Sequence, residues 1–207
     1  MNDQTREPDV TSALANAFDD TVDRLALLRA DLVGAAQNEG ILDVGYRTLG
    51  TPVGTLLLAA TDLGLVRVAY ASEDLDAVLQ TLADRISPRI LKAPGRLDTV
   101  AFELEEYFAG TRRAFDLPLD WRLAAGFRRT VLHHLPEIGY GRTASYSAVA
   151  QLAGNPKAVR AVGTACATNP LPVVVPCHRV VPANGGLGNY LGGLSAKQAL
   201  LTLEAAA

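Results

Sequence analysis

Apolar residues recur along this chain with different rhythms, and each rhythm marks a different piece of structure. From about Thr11 or Ser12 to Val33 they fall at Leu14, Phe18, Val22, Leu25, Leu28 and Leu32, with Asp19, Asp20, Asp23 and Arg24 on other faces. That spacing predicts an amphipathic helix, terminated by Gly34 and Gly40 with Asn38. Residues 1–10 read as a disordered polar leader. Such a helix either docks on its own domain or presents its stripe to a partner. The rhythm then changes. Ile41–Tyr46, Gly54–Ala60 and Leu65–Tyr70 are separated by Gly50-Thr51-Pro52 and Asp62-Leu63-Gly64, a pattern that predicts a meander of antiparallel strands.

Helical spacing returns after Tyr70. Ser72 with Asp74 opens a helix to about Ile86 on Leu75, Val78, Leu79 and Leu82, and Pro88 breaks it. A second runs from about Leu97 to Ala109 on Val100, Leu104, Tyr107 and Phe108, with Gly110 as its C-cap. Glu103, Glu105 and Glu106 on this helix are expected to be solvated. Pro118 to Trp121 reads as a link to a second domain, and Phe127–Leu135 as a helix ended before Gly139-Tyr140-Gly141. His133 and His134 are adjacent and therefore face different ways. No third ligand lies nearby in sequence, so no metal site is expected.

Ser145 is placed to N-cap a short helix, Ser147–Leu152. Ala153-Gly154-Asn155-Pro156 makes a turn, and Lys157–Ala167 a second helix. This is the plan of a helix-turn-helix, whose second helix enters a DNA groove. Ala158, Ala161, Gly163, Thr164, Ala165 and Ala167 are all small. Small side chains cannot fill a wide major groove, but they let a helix approach closely. The pattern alone has a high false-positive rate.

Composition narrows the class. At 207 residues, 49% hydrophobic and 20% charged, the chain is an ordinary globular one with room for one or two cores. No charged-then-apolar leader is present, and runs such as Leu56–Ala60 are too short to span a bilayer. No membrane partner is therefore expected. The two cysteines, Cys166 and Cys177, make no disulfide framework, which suggests a reducing cytoplasm. The net charge of −3 is unevenly spread. Residues 121–180 hold seven basic side chains (Arg122, Arg128, Arg129, Arg142, Lys157, Arg160 and Arg179) against Glu137 alone, while residues 1–120 hold 11 basic and 20 acidic ones. A basic segment in an acidic chain marks a local anion-binding face, or simply a solvated surface.

Candidate chemistry gathers at Pro176-Cys177-His178-Arg179-Val180-Val181, between the apolar run Pro170–Val175 and the loop Asn184-Gly185-Gly186-Leu187-Gly188-Asn189-Tyr190. A histidine and an arginine beside a cysteine are the kind of surroundings that lower a thiol pKa. The preceding proline restricts the backbone, so the sulfur can sit at the end of a buried strand or turn. A buried structural cysteine fits the same residues.

With Arg160-Ala161-Val162-Gly163 and Asn169-Pro170 upstream and Gly188-Asn189-Tyr190 and Glu204 downstream, this segment resembles the O6-alkylguanine-DNA alkyltransferases over about residues 121–206. Residues 41–120 resemble the family's variable N-terminal domain more loosely. The resemblance implies an α+β protein of two domains, and the N-terminal helix, about which it says nothing, makes a third part. Residues 1–40 are the leader and extra helix, 41–120 a ribonuclease-H-like domain, and 121–207 a helix-turn-helix alkyltransferase domain.

It also implies irreversible, single-turnover transfer of an alkyl group from guanine O6, with thymine O4 as a further target, to Cys177. His178 and Glu204 would activate the thiol through a water, in triad fashion. Arg160 would enter the base stack in place of an everted nucleotide. Tyr146 would crowd the 3′ phosphate and donate a proton to the leaving guanine. Lys157, Ala161 and Gly163 would face DNA. Asn169 would pin the second helix to the active-site turn, and the carbonyls of Cys177 and Val180 would read the guanine amino group. Tyr190, Leu191 and Gly192 would wall the pocket, with Arg179 in support. At Leu191 relatives often carry serine, so one side-chain donor is missing. No cofactor is implied, and the partner is double-stranded DNA containing alkylated guanine, bound by a monomer. The other readings are a non-catalytic alkylated-base sensor or transcription regulator, which retention of Cys177, His178 and Glu204 opposes, and a cysteine hydrolase, for which no oxyanion site is visible.

Overall fold

A computed structural model describes residues 10–205 of the chain. Contacts divide it into residues 1–42 and 43–207. The first unit is one helix, α1 (Val10–Asn38). It runs through Gly34, which weakens a helix by about 1 kcal/mol relative to alanine without ending it. The stop comes at Gly40, whose φ of +66° suits a residue without a Cβ. There the Gly40 N–H donates to the Gln37 carbonyl (3.1 Å) and the Ile41 N–H to the Ala36 carbonyl (2.9 Å), the paired closure of a Schellman turn. Of the expected stripe, Leu25, Leu28 and Leu32 are exposed. The side chains of Leu14, Phe18 and Val22 lie outside the described residues, as does the leader up to residue 9; Val10 opens α1.

In the second unit β1 (Val44–Thr51), β2 (Gly54–Thr61) and β3 (Gly64–Tyr70) form the expected antiparallel meander. Asp74 caps α2 (Leu75–Arg85), its carboxylate accepting from the Asp76 and Ala77 amides. The chain then adds a short strand that the pattern did not announce. This is β4 (Ile90–Lys92), which pairs parallel to β1 and gives the sheet order β3-β2-β1-β4. The sheet is thus mostly, not wholly, antiparallel. α3 (Asp98–Phe108) follows.

Strand alternation divides the apolar residues of β2. Leu56, Leu58 and Ala60 join a core with α3 and the C-terminal helices, and Leu57 and Ala59 join a smaller one with Val78 and Leu82 of α2. Glu103 is not solvated. It is buried in α3, accepts the Asp116 amide at 2.9 Å and pairs with Arg112 at 3.3 Å.

The free edge of β3 is covered from two sides. Leu65 donates to the Pro118 carbonyl and accepts the Asp120 amide, each at 2.8 Å, and the Val68 amide donates to the Pro170 carbonyl at 2.8 Å. Those bonds satisfy an edge that would otherwise invite another chain. They also tie the sheet to the segment leading to Cys177. The C-terminal half comprises α4 (Gly126–His134), β5 (Ala144–Ser145), α5 (Tyr146–Leu152), α6 (Val159–Ala167), β6 (Val180–Val181) and α7 (Gly193–Ala205). β5 and β6 pair in parallel, so the start of α5 and the end of the cysteine turn are held side by side. His133 and His134 have separate partners: His133 stacks on Trp121 and His134 bonds to Glu137.

Candidate active site

The apolar run Pro170–Val175 folds as tight turns rather than a strand. Val173 takes a φ of +72°, a costly conformation for a β-branched residue. The turn is fastened by Asn169, which is fully buried. Its side-chain amide donates to the Val175 carbonyl at 2.8 Å and to Cys177 Sγ at 3.2 Å, while its Oδ1 accepts the Leu171 amide. Asn169, two residues past the end of α6, is thus bonded to both the turn and the sulfur. Cys177, His178 and Arg179 form one helical turn between Pro176 and β6, and all three are buried.

His178 and Arg179 both turn to Glu204 on α7. His178 Nε2 lies 2.9 Å from Glu204 Oε1. Arg179 bridges both carboxylate oxygens through Nε and Nη2 and donates to the Ile138 carbonyl at 2.6 Å through Nη1. Tyr107 of α3 donates to Oε1 at 2.7 Å, and the Gly141 amide to Oε2 at 3.2 Å. Burial opposes the charge on Glu204, but the bonds from His178 and Arg179 outweigh it and hold its pKa down to about 2. A carboxylate only accepts, so Nε2 carries the imidazole proton. Nδ1 is left with a lone pair, buried and without a hydrogen-bond partner among the described residues. Burial pushes the His178 pKa down, and Glu204 opposes that shift. A neutral histidine able to accept one proton results.

The sulfur departs from expectation. Burial pushes the Cys177 thiol up to about 11, and the Asn169 bond and the charge of Lys197 only partly offset this. Its neighbours in sequence, His178 and Arg179, do not lower it, because both are directed at Glu204. The cation that favours thiolate is instead Lys197, fully buried on α7, whose ammonium donates to the Val180 carbonyl at 2.7 Å. Cys166, on α6, is likewise buried and pushed up to about 12.

The remaining expected residues divide by position. Tyr146 opens α5, half-buried, and the Tyr146 hydroxyl faces Gly188. Tyr190 stands edge-on to His178, with ring centroids 6.3 Å apart. The carbonyls of Cys177 and Val180 each already accept one internal bond, from the Val180 amide and from Lys197, and each keeps a second lone pair. Arg160, Ala161 and Thr164 lie exposed on α6, and Gly163 is half-buried. Arg160 has no side-chain partner among the described residues. Lys157 precedes the helix rather than lying in it, because a turn closed by the Ala158 amide on the Asn155 carbonyl delays its start. Leu191 lines a cleft with Arg67, Arg128 and Asn169.

Three residues at the site were not singled out from the sequence: Tyr107, Lys197 and Tyr70. The one available signal was the spacing of Lys197, three and seven residues before Leu200 and Glu204, which puts it on the inward face of α7. Among the described residues no helix is long and apolar enough to cross a membrane.

Comparison with known proteins gives this arrangement its family. Residues 44–121 match the ribonuclease-like domain, and residues 126–206 the DNA-binding domain, of 6-O-methylguanine DNA methyltransferase. A methylated-DNA–protein-cysteine methyltransferase of Mycolicibacterium paratuberculosis is 40% identical over 161 residues, 78% of this chain and 92% of that protein. The crystal structure of Mycobacterium tuberculosis O6-methylguanine methyltransferase superposes with a TM-score of 0.69 at 36% identity, covering 79% of this chain and 93% of that one. A structure of Mycobacterium tuberculosis OGT in complex with DNA superposes with a TM-score of 0.68 at 37% identity, covering 78% and 93%. Both halves of the second unit are therefore accounted for, and the chain belongs to the methylated-DNA–protein-cysteine methyltransferase family.

Proposed function

We propose that Cys177 is the sulfur that accepts the alkyl group in the family's DNA-repair reaction, and that guanine O6 in double-stranded DNA is the atom that gives it up. The observation that carries this reading is the state of the imidazole that follows Cys177 in the chain. His178 Nε2 is committed to Glu204, and Nδ1 keeps a free lone pair inside the protein. A resting thiol with a pKa near 11 needs such a base.

The steps balance as follows. The Cys177 proton passes, through a water, to His178 Nδ1, and the resulting imidazolium is stabilised by Glu204. Sulfur attacks the alkyl carbon in line, the S–C bond forming as the C–O6 bond breaks. The electron pair stays on guanine, which takes a proton from the Tyr146 hydroxyl; the phenolate regains one through solvent as the His178 imidazolium gives its proton up, so the proton lost by sulfur is in effect the one guanine gains. The product thioether is stable, so each molecule acts once. The target carbon lies inside a duplex, and the nucleotide must leave the stack at a cost of roughly a few kcal/mol. The exposed small-residue face of α6, with Arg160 unengaged, suits close approach to DNA and filling of the gap. Lys157, Ala161 and Gly163 border that approach. The protein is proposed to act as a monomer in the cytoplasm, a compartment that keeps Cys166 and Cys177 as free thiols.

The test is to incubate the protein with a duplex carrying O6-methylguanine and weigh it. One added methyl, mapped to Cys177 and ending at one equivalent, is expected. Cys177→Ser should still bind DNA and gain no mass. An adduct at Cys166 would move the reaction to the other thiol, and DNA binding without any mass change would favour a sensor of alkylated bases.

A further inference from the structure

We infer that Tyr70, the last residue of β3, is a specificity-determining residue of the alkyl pocket: it positions Tyr190 and limits the size of the group accepted at guanine O6. The inference rests on the reading of Cys177 as alkyl acceptor. Nothing in the sheet's own architecture requires a phenol here, since an aliphatic residue fills a strand end as well. Yet the Tyr70 hydroxyl lies 3.0 Å from that of Tyr190, and the two rings meet edge to face at 5.9 Å. Tyr190 in turn stands perpendicular to the His178 ring. A strand of the N-terminal sheet therefore reaches, through one hydroxyl pair, to the imidazole that would serve as base.

The same ring also braces the loop. A Cβ on Gly192 would fall 2.5 Å from the Tyr70 ring, so the backbone at Gly192 is pressed against the phenol face. Gly192 follows Leu191 in the loop that would wall the pocket. Tyr70 is therefore the backing of that wall, and it is itself held. Its amide donates to Glu73 Oε1 at 2.8 Å, Glu73 pairs with Arg67, and Arg67 Nη1 reaches the Asn169 carbonyl at 3.4 Å. Asn169 is the residue bonded to Cys177 Sγ. Wall and nucleophile thus share one support.

The hydroxyl pair has a further property. Two phenols carry two protons, and one bond between them uses one. Neither hydroxyl has another partner among the described residues, so one O–H remains to be donated. Tyr70 thus fixes the orientation of the Tyr190 hydroxyl, and whichever of the two donates within the pair, the other keeps its proton for a further acceptor.

The experiment uses the full chain and two duplexes, one with O6-methylguanine and one with O6-benzylguanine, and measures rates of transfer by intact mass. Tyr70→Phe keeps the ring and removes the bond to Tyr190. It should slow transfer of both groups several-fold, by about the same factor, and adding Tyr190→Phe to it should cost little more, because the two hydroxyls act as a unit. Tyr70→Leu removes the backing. It should raise the benzyl-to-methyl rate ratio by about tenfold, the discrimination that pocket volume typically gives. Wild-type rates from Tyr70→Phe together with an unchanged ratio in Tyr70→Leu would overturn the inference while leaving the reading of Cys177 intact. If Tyr70→Leu does not fold, additive losses for Tyr70→Phe and Tyr190→Phe would overturn it alone. A wild-type protein inert to both duplexes would overturn the reading of Cys177 and this inference with it.

Discussion

The carboxylate of Glu204 and the outer face of α6 are built on opposite principles. Glu204 is buried and accepts from His178, Arg179, Tyr107 and the Gly141 amide. On α6, Arg160 stands exposed with no side-chain partner among the described residues, amid side chains too small to fill a groove of their own. One region has satisfied its bonds internally, so its geometry is set before any ligand arrives. The other leaves its charge to be satisfied by something else. Chemistry that moves a proton between fixed atoms needs the first kind of site. A surface that meets a polyanion needs the second, because phosphate contacts replace released counterions rather than internal bonds. Mutations in the two regions should therefore differ in kind as well as in size.

The largest effect is expected from Glu204→Gln. It removes the charge that offsets a buried guanidinium, and breaking such a pair costs about 3–5 kcal/mol. Urea unfolding should show the loss, and transfer should slow because the imidazolium loses its stabiliser. The wild-type protein should also reveal Glu204 through pH. Its pKa is lowered from an ordinary 4.5 to about 2, so the folded state binds this proton less readily than the unfolded chain. That contribution is complete above about 4.5 and fades as pH falls toward 2. In Glu204→Gln this part of the acid limb should vanish; an unchanged limb would show that the network does not depend on the charge.

Arg160→Ala should invert the pattern. Stability should change by no more than about 0.5 kcal/mol, as for other surface positions, while transfer from a duplex falls far more than transfer from a free modified base. Equal slowing on both substrates would remove its role in opening the stack. Lys157→Ala should have the smallest effect, a uniform weakening of DNA binding with a salt slope reduced by about one. An unchanged slope would place Lys157 off the DNA.

The sequence made local features legible where neighbouring residues determine them. Ser145 caps α5 by accepting the Ala148 amide, and Asp74 caps α2. Alternation and turn residues located the three meander strands, and the cysteine segment carried its family in consecutive residues. What stayed hidden depends on residues far apart in the chain. β4 is three residues long and is defined by its pairing with β1, not by its own pattern. Glu103 looked solvated because Arg112 and the Asp116 amide reach it only once the chain has turned back. The electrostatics of Cys177 were misjudged for the same reason. His178 and Arg179 adjoin it in sequence, yet the fold aims both at α7, and the cation that acts on the sulfur is Lys197. Tyr107 and Tyr70 enter the site from the sheet half, where no catalytic motif was visible.

A protein that can act only once has a shelf life, and the burial of Cys177 bears on it. With a pKa near 11 the sulfur spends its waiting time protonated, a poor target for peroxides and wandering electrophiles. The sulfur proposed as acceptor thus keeps its single equivalent in the less reactive, protonated form.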